Sequence, residues 1–426
     1  MESFNRIKLK NGLRLIFVPQ PSSLATTVMV LVEAGSKYES KDKNGLSHFL
    51  EHMCFKGTIK RPRPIDIAGE LDGLGAQYNA FTSHEFTSYY AKAKNEAFDK
   101  ILDLVADLYL NPTFEEQEIE KEKGVIIEEL NMYEDIPQRK VQELFMEIVY
   151  GDQPAGWPIG GQKDVIRKIT RDDFTTYRNM HYLPQSTIVV VAGAHAGEAE
   201  QKNIADRIES YFTSLHEGGK GGKVKVIEAQ DKPSELVRFK ESDQTHFILG
   251  FRAFDVFDKR RYALQVLSDI LGGGMSSRLF QKVREEMGAA YYVNASPDLF
   301  SDHGLIAAAA GVDHTKLEAV ISAVLREYSR FKDEPVPIKE LERAKDHLVG
   351  NLFLSVETSD ELGYFYGGQE VMGVSLETPQ VAAEKIKLVT ADEIQAVAKE
   401  LFVNNRLNLA LIGPFKDRTF NAILKI

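Results

Sequence analysis

The sequence predicts an α+β fold of two homologous repeats, each a mainly antiparallel sheet with helices packed on one face. Three observations carry this expectation. The halves end alike: Thr170-Arg171-Asp172-Asp173 precedes a strand at 187–192 closing at Gly193, and Thr390-Ala391-Asp392-Glu393 precedes a strand at 407–412 closing at Gly413. Both landmarks are offset by 220 residues (390 - 170 and 413 - 193), and such agreement across a helix and a strand is a mark of duplication. The halves also start alike in pattern, with Thr27-Val28-Met29-Val30-Leu31-Val32 and Thr245-His246-Phe247-Ile248-Leu249-Gly250 as strands leading towards a helix. Between them, Glu217-Gly218-Gly219-Lys220-Gly221-Gly222-Lys223 has the glycines and charges of a flexible linker. The expected domains are therefore residues 1–216, a linker at 217–224 and residues 225–426.

Within the first repeat, apolar runs at 13–18 and 27–32 read as strands, followed by a helix over 46–55 and another over 65–74. Two further strands, 76–82 and 86–93, are joined by the short turn Ser83-His84-Glu85. Helices over 97–110 and 115–133 follow, with Asn111-Pro112 as the break.

Composition narrows the function. With 426 residues, 43% hydrophobic and 27% charged, the chain has ordinary globular usage and room for two sizeable cores. A net charge of -11 argues against nucleic-acid binding, which draws on clustered Lys and Arg, and leaves basic peptides as plausible ligands. The single cysteine, Cys54, can form neither an internal disulfide nor a thiolate metal site, which suits a reducing compartment. The N-terminal residues show neither a signal core nor a transit pattern, and no apolar run is long enough to span a membrane, so the expected location is cytoplasmic.

Catalytic chemistry is concentrated at His48-Phe49-Leu50-Glu51-His52. Residues four apart on a helix are separated by about 40°, so the His48 and His52 imidazoles project from one face, with Glu51 on the same side. Zinc takes neutral imidazoles and a carboxylate while keeping a position for water, and a nearby carboxylate can remove that water's proton. This H-x-x-E-H order is an inverzincin signature. A third ligand has to come from elsewhere. Glu122 and Glu129, seven apart on the 115–133 helix, could both face the site, whereas Glu128 points roughly 100° away from Glu129. Taken alone, a histidine pair or a Glu-rich helix is more often a solvated surface; their combination with the repeat makes the site reading the stronger one.

These motifs, His48 to His52 followed far downstream by Val125-Ile126-Ile127-Glu128-Glu129, resemble the pitrilysin/insulinase family of zinc peptidases, and the chain length resembles its processing-peptidase branch. The resemblance spans essentially the whole chain. It implies one Zn2+ per chain, held by His48, His52 and Glu129, with Glu122 as the partner behind a ligand and Glu51 as the base. It also implies that Gly75-Ala76-Gln77-Tyr78-Asn79-Ala80-Phe81-Thr82 is a strand beside the metal on which an extended substrate adds, with Asn79, Ala80 and Phe81 contacting it. In the second repeat, Gly272-Gly273-Gly274-Met275-Ser276-Ser277 stands where the first carries its metal helix. It has no H-x-x-E-H, and without a following Gly-Lys-Ser/Thr it is no phosphate loop; the glycines read as a loop opening a helix. Next, Val283-Arg284-Glu285-Glu286-Met287-Gly288-Ala289-Ala290-Tyr291 resembles the family's substrate-reaching Arg and Tyr, on Arg284 and Tyr291, although Ala289 stands where processing peptidases more often have Leu.

The resemblance thus implies a zinc endopeptidase acting on short or unfolded peptides, presequence-like ones included, in an enclosed chamber. Two repeats are half of the family's four-repeat clamshell, which implies a homodimer or a heterodimer with a paralogous subunit. The rival is a non-catalytic core or scaffold subunit of the same fold working with such a partner. It predicts eroded ligands, and here they are intact.

Overall fold

The computed structural model describes residues 4–195, 197–216 and 218–426; Met1 to Ser3 of the N-terminal reading and Glu217 of the expected linker lie outside them. In chain order the first half contains β1 (Asn5–Lys8), β2 (Arg14–Pro19), β3 (Ala25–Val32), α1 (Leu46–Cys54), α2 (Pro64–Gly73), β4 (Gln77–Thr82), β5 (Thr87–Lys94), α3 (Phe98–Leu110), α4 (Glu116–Asp135), α5 (Pro137–Tyr150), α6 (Lys163–Ile166), α7 (Arg171–His181), β6 (Thr187–Gly193) and α8 (Glu198–Phe212). The second half continues with β7 (Ser234–Phe239), β8 (Thr245–Ala253), α9 (Arg261–Gly272), β9 (Ala290–Leu299), β10 (Gly304–Val312), α10 (Leu317–Asp333), α11 (Ile338–Leu354), α12 (Ser359–Val371), α13 (Pro379–Leu388), α14 (Ala391–Leu401) and β11 (Leu407–Gly413).

The repeat is visible in local chemistry as well as in order. Thr170 and Thr390 open α7 and α14 with the same capping box, closed by Asp173 and Glu393, which satisfies backbone donors that a helix start leaves unpaired. Each half builds its own sheet. The first runs β1-β2-β6-β3-β5-β4 and the second β7-β11-β8-β10-β9, antiparallel throughout except for β2–β6 and β7–β11. Every residue of the central strands β6, β8 and β11 is buried, which suits the near-continuous apolar runs of β6 and β11. β4, at the edge of the first sheet, is exposed over Gln77 to Asn79.

The compact units are not simply the contiguous halves. One unit comprises Met1–Leu130, Pro158–Val224 and Leu354–Thr378, the other Asn131–Trp157, Lys225–Phe353 and Pro379–Ile426. Each half therefore lends one helix to the other's sheet. In the first unit α3 covers one face, setting Tyr109 edge-on to Tyr89 of β5, while the borrowed α12 covers the opposite face, where Leu362 and Tyr366 pack on Met29, Leu31 and Val190. In the second unit α9, α10 and α14 pack on Phe247, Leu249 and Phe251, while the borrowed α5 places Leu144, Phe145 and Val149 on Ile248, Ala410 and Ile412. Helices native to each half do share one face, as their amphipathic patterns imply; the exchanged helices supply the second layer.

The glycine-rich segment expected to be a loose linker is held at several points of the first unit. Lys220 pairs with Glu33, Lys223 pairs with Glu85, and the Gln185 amide donates to the Gly218 carbonyl at 2.7 Å. Among the described residues no helix is long and apolar enough to cross a membrane.

Candidate metal centre

The site begins with how α1 is anchored. Its inner face, Leu46, Phe49, Leu50, Met53 and Cys54, is buried, with Phe49 edge-on to Phe174 of α7 at 4.9 Å. The helix starts at Gly45, whose φ of 98° suits glycine, and a Cβ there would lie 2.7 Å from the Gly160 carbonyl. Two buried N–H groups at its start are taken by Glu39, whose carboxylate accepts from the Ser47 N–H at 2.6 Å and the Gly45 N–H at 2.8 Å. Burial pushes the Glu39 carboxyl up to about 7 against these hydrogen bonds, which favour its ionised form. Ser47 also bonds the Tyr177 hydroxyl at 2.7 Å, fixing the helix to α7.

With that face packed, His48, Glu51 and His52 line the outer one, opposite α4. The ring centroids of His48 and His52 are 4.6 Å apart. Glu129 of α4 places a carboxylate oxygen 3.7 Å from His48 Nε2 and 3.6 Å from His52 Nε2, and the three ligand atoms all lie within 4.8 Å of one another. Two atoms each about 2.1 Å from one tetrahedral zinc ion would be roughly 3.4 Å apart. The donor set and its spacing thus fit Zn2+ with small adjustments.

Glu122, one heptad before Glu129, is buried and sits behind the ligands. Its carboxylate lies 2.8 Å from His52 Nδ1 and 2.7 Å from Lys56 Nζ. A proton on Nδ1 directed at Glu122 leaves the Nε2 lone pair facing Glu129 and His48, as a metal-binding imidazole requires. Burial raises the Glu122 pKa, but the bonds to His52 and Lys56 outweigh it and hold the carboxyl below its ordinary value. For His52, burial lowers the pKa, and the Glu122 hydrogen bond with the surrounding carboxylates carries it above the usual imidazole value. Glu51 is also raised, first by burial and against a 2.6 Å hydrogen bond donated by Thr82.

The structure brings together His48, Glu51, His52, Glu122 and Glu129. β4 begins its strand beside Phe55, which stacks on Tyr78 at 6.5 Å. On β4, the Asn79 side chain accepts from the Ala80 N–H at 2.9 Å, and Phe81 packs between Phe86 and Tyr364, at 5.7 and 5.5 Å. Arg284 and Tyr291 belong to the second unit, where the structure places them together: the Arg284 guanidinium lies 4.9 Å from the Phe280 ring and 5.9 Å from that of Tyr291. The β9–β10 register pairs Tyr292 with Gly311 and Ala290 with Val312, so Tyr291 is the extra residue of a bulge, and it is 74% exposed. Sequence reasoning missed Glu39, Lys56 and Thr82. Lys56, four residues after His52, had a helical-spacing signal; Glu39 had none.

Comparison with known proteins bears on the family. Residues 14–163 match the model of the insulinase domain (peptidase family M16), and residues 168–348 match the M16 inactive domain. A Bacillus subtilis (strain 168) protein named "Uncharacterized zinc protease YmxG" is 34% identical over 96% of this chain and 98% of its own. An "Uncharacterized zinc protease" of Rickettsia felis is 36% identical over 98% of this chain and 100% of its own. Among solved structures, a protease from Helicobacter pylori superposes with a TM-score of 0.91 at 23% identity, covering 97% of this chain and 100% of that one. An M16 inactive-domain protein from Pseudomonas fluorescens gives 0.88 at 18% identity, over 98% and 99%. These two likenesses establish the fold.

Proposed function

Because the chain belongs to the insulinase family of peptidases (family M16), we propose that it is a zinc-dependent endopeptidase whose general base is Glu51. The observation that carries this reading is the convergence of His48 Nε2, His52 Nε2 and a Glu129 oxygen within 4.8 Å of one another, with Glu51 on the same helix. One Zn2+ per chain, when bound, supplies a Lewis acid that polarises a carbonyl oxygen and makes water acidic near neutral pH. Glu51 then takes the proton from the attacking water and returns it to the departing amine. Burial raises its pKa, which suits a group that must both accept and donate.

Substrate would lie extended along the outer edge of β4, where strand pairing gives affinity with little dependence on sequence, and Asn79, Ala80 and Phe81 would meet it. Arg284 would bind a substrate carbonyl or carboxylate, and the Tyr291 hydroxyl would donate to the oxyanion. An enclosed chamber completed by a second subunit, identical or paralogous, would restrict substrates to short or unfolded peptides. Light scattering at micromolar concentration should show a dimer of the purified chain if the pair is homomeric.

The primary test is cleavage of a quenched peptide, with and without chelator, by the wild type and Glu51→Gln. The expected result is chelator-sensitive cleavage by the wild type and a loss of at least about a thousandfold in Glu51→Gln with its zinc retained. Wild-type cleavage by a zinc-loaded Glu51→Gln protein would overturn the assignment.

A further inference from the structure

Glu51 has a long side chain with freedom to rotate, yet a base must present one oxygen to the water in a narrow range of directions. The only hydrogen bond its carboxylate makes among the described residues comes from Thr82, whose hydroxyl lies 2.6 Å from Oε2. Thr82 is well placed to act as a fixed post. It is the last residue of β4, paired with Thr87 of β5, and the following turn is closed by the Ser83 N–H bonding the Phe86 carbonyl at 2.8 Å. Its branched Cβ limits the rotamers available to the hydroxyl.

Proton direction at this corner is settled by the neighbours. The Thr87 hydroxyl donates to the Ala34 carbonyl at 2.8 Å and lies 3.5 Å from the Thr82 hydroxyl. With the Thr87 proton committed to Ala34, the Thr82 proton goes to Glu51 Oε2, the acceptor its hydroxyl meets at 2.6 Å. We infer that Thr82 is a positioning residue for the base: its hydroxyl pins Oε2 of Glu51 and leaves Oε1 to accept the proton of the attacking water. This rests on the endopeptidase reading and adds to it a link between grip and chemistry. One strand holds the substrate along its outer edge and fixes the base at its end, so movement of β4 carries both together.

Thr82→Val keeps the β-branched shape and strand preference while deleting the donor, and Thr82→Ser restores the donor. Loss of one hydrogen bond to a charged group predicts a fall in kcat of roughly 10- to 100-fold for the valine variant. KM, zinc content and Tm should stay close to wild type, and serine should recover most of the rate. A crystal structure of zinc-loaded Thr82→Val gives a readout independent of turnover, in which the Glu51 carboxylate should leave its wild-type place. Unchanged kcat in the valine variant, a drop that serine fails to rescue, or an unmoved Glu51 carboxylate would each overturn the inference. If the wild type cleaves no peptide, the endopeptidase reading fails, while the position of Glu51 in the valine variant still decides whether Thr82 holds it.

Discussion

The two units solve one packing problem with different chemistry. In the first, α1 follows β3 and faces α4 with two imidazoles against a carboxylate. In the second, α9 follows β8, and the side chains that join it to α11 are Asp269 and His347: Asp269 Oδ1 lies 2.8 Å from His347 Nδ1, and the Asn351 amide lies 3.1 Å from Nε2. A single histidine there is occupied from both ring nitrogens by hydrogen bonds. The helix starts differ too. The buried Glu39 accepts from two N–H groups at the start of α1, those of Gly45 and Ser47, whereas at α9 Asp258 accepts from the N–H of Arg260 at 2.8 Å. Glycines are close-packed at both helices, but at opposite ends: Gly45 opens α1 with a positive φ, and Gly272 closes α9, where a Cβ would lie 2.4 Å from the Ala295 nitrogen. The comparison teaches that the same strand-then-helix order carries unlike side chains, two imidazoles and a carboxylate in one unit and a hydrogen-bonded Asp–His pair in the other.

The largest effect that could break this comparison is removal of a ligand. His48→Ala or Glu129→Ala should drop zinc from about one ion per chain to near none by metal analysis, because three protein ligands are the minimum for a catalytic zinc site. Retention of stoichiometric zinc by both would place the metal elsewhere. Glu122→Gln should be milder, lowering zinc affinity about 10- to 100-fold in a competitive chelator titration, as the His52 imidazole loses its charged partner.

Glu39 gives a pH test of the difference between the helix starts. Its folded-state pKa, about 7, lies above its ordinary value of 4.5, so the folded state holds the proton more tightly. Its contribution to stability is full below about pH 4.5 and is lost as pH rises through 7, a change on the order of 3 kcal/mol. The stability of the wild type minus that of Glu39→Gln, from urea unfolding at several pH values, should fall across this window; a flat difference would mean that Glu39 is ionised throughout. The smallest effect is expected in the second unit. His347→Asn should leave zinc content unchanged and lower Tm by about 2–4 °C or less, because the pair it breaks is partly exposed.

Much of this was legible in the sequence because the signals are local. Strands β2 to β6 and helices α1 to α4 follow apolar periodicity and turn chemistry within one or two residues, and His48, Glu51 and His52 share a helix. Glu129 was reached from helical geometry plus family spacing. The capping contact of Glu39 and the hydroxyl of Thr82 were not legible, because their partners sit 8 and 31 residues away, across a loop in the first case and across α2 and β4 in the second. The helix exchange was invisible for a related reason. Periodicity in α5 and α12 reveals that one face is buried, but carries no information about which sheet covers it.

That exchange has a consequence for synthesis. The first sheet has all its strands once Gly193 has left the ribosome, yet Met29, Leu31 and Val190 wait for α12, which ends 178 residues later (371 - 193). At about 5–20 residues per second this is an interval of roughly 10–35 s. Throughout it, the nascent chain presents an aliphatic sheet face to its surroundings, a natural docking point for a ribosome-associated chaperone and a hazard wherever translation stalls before Val371.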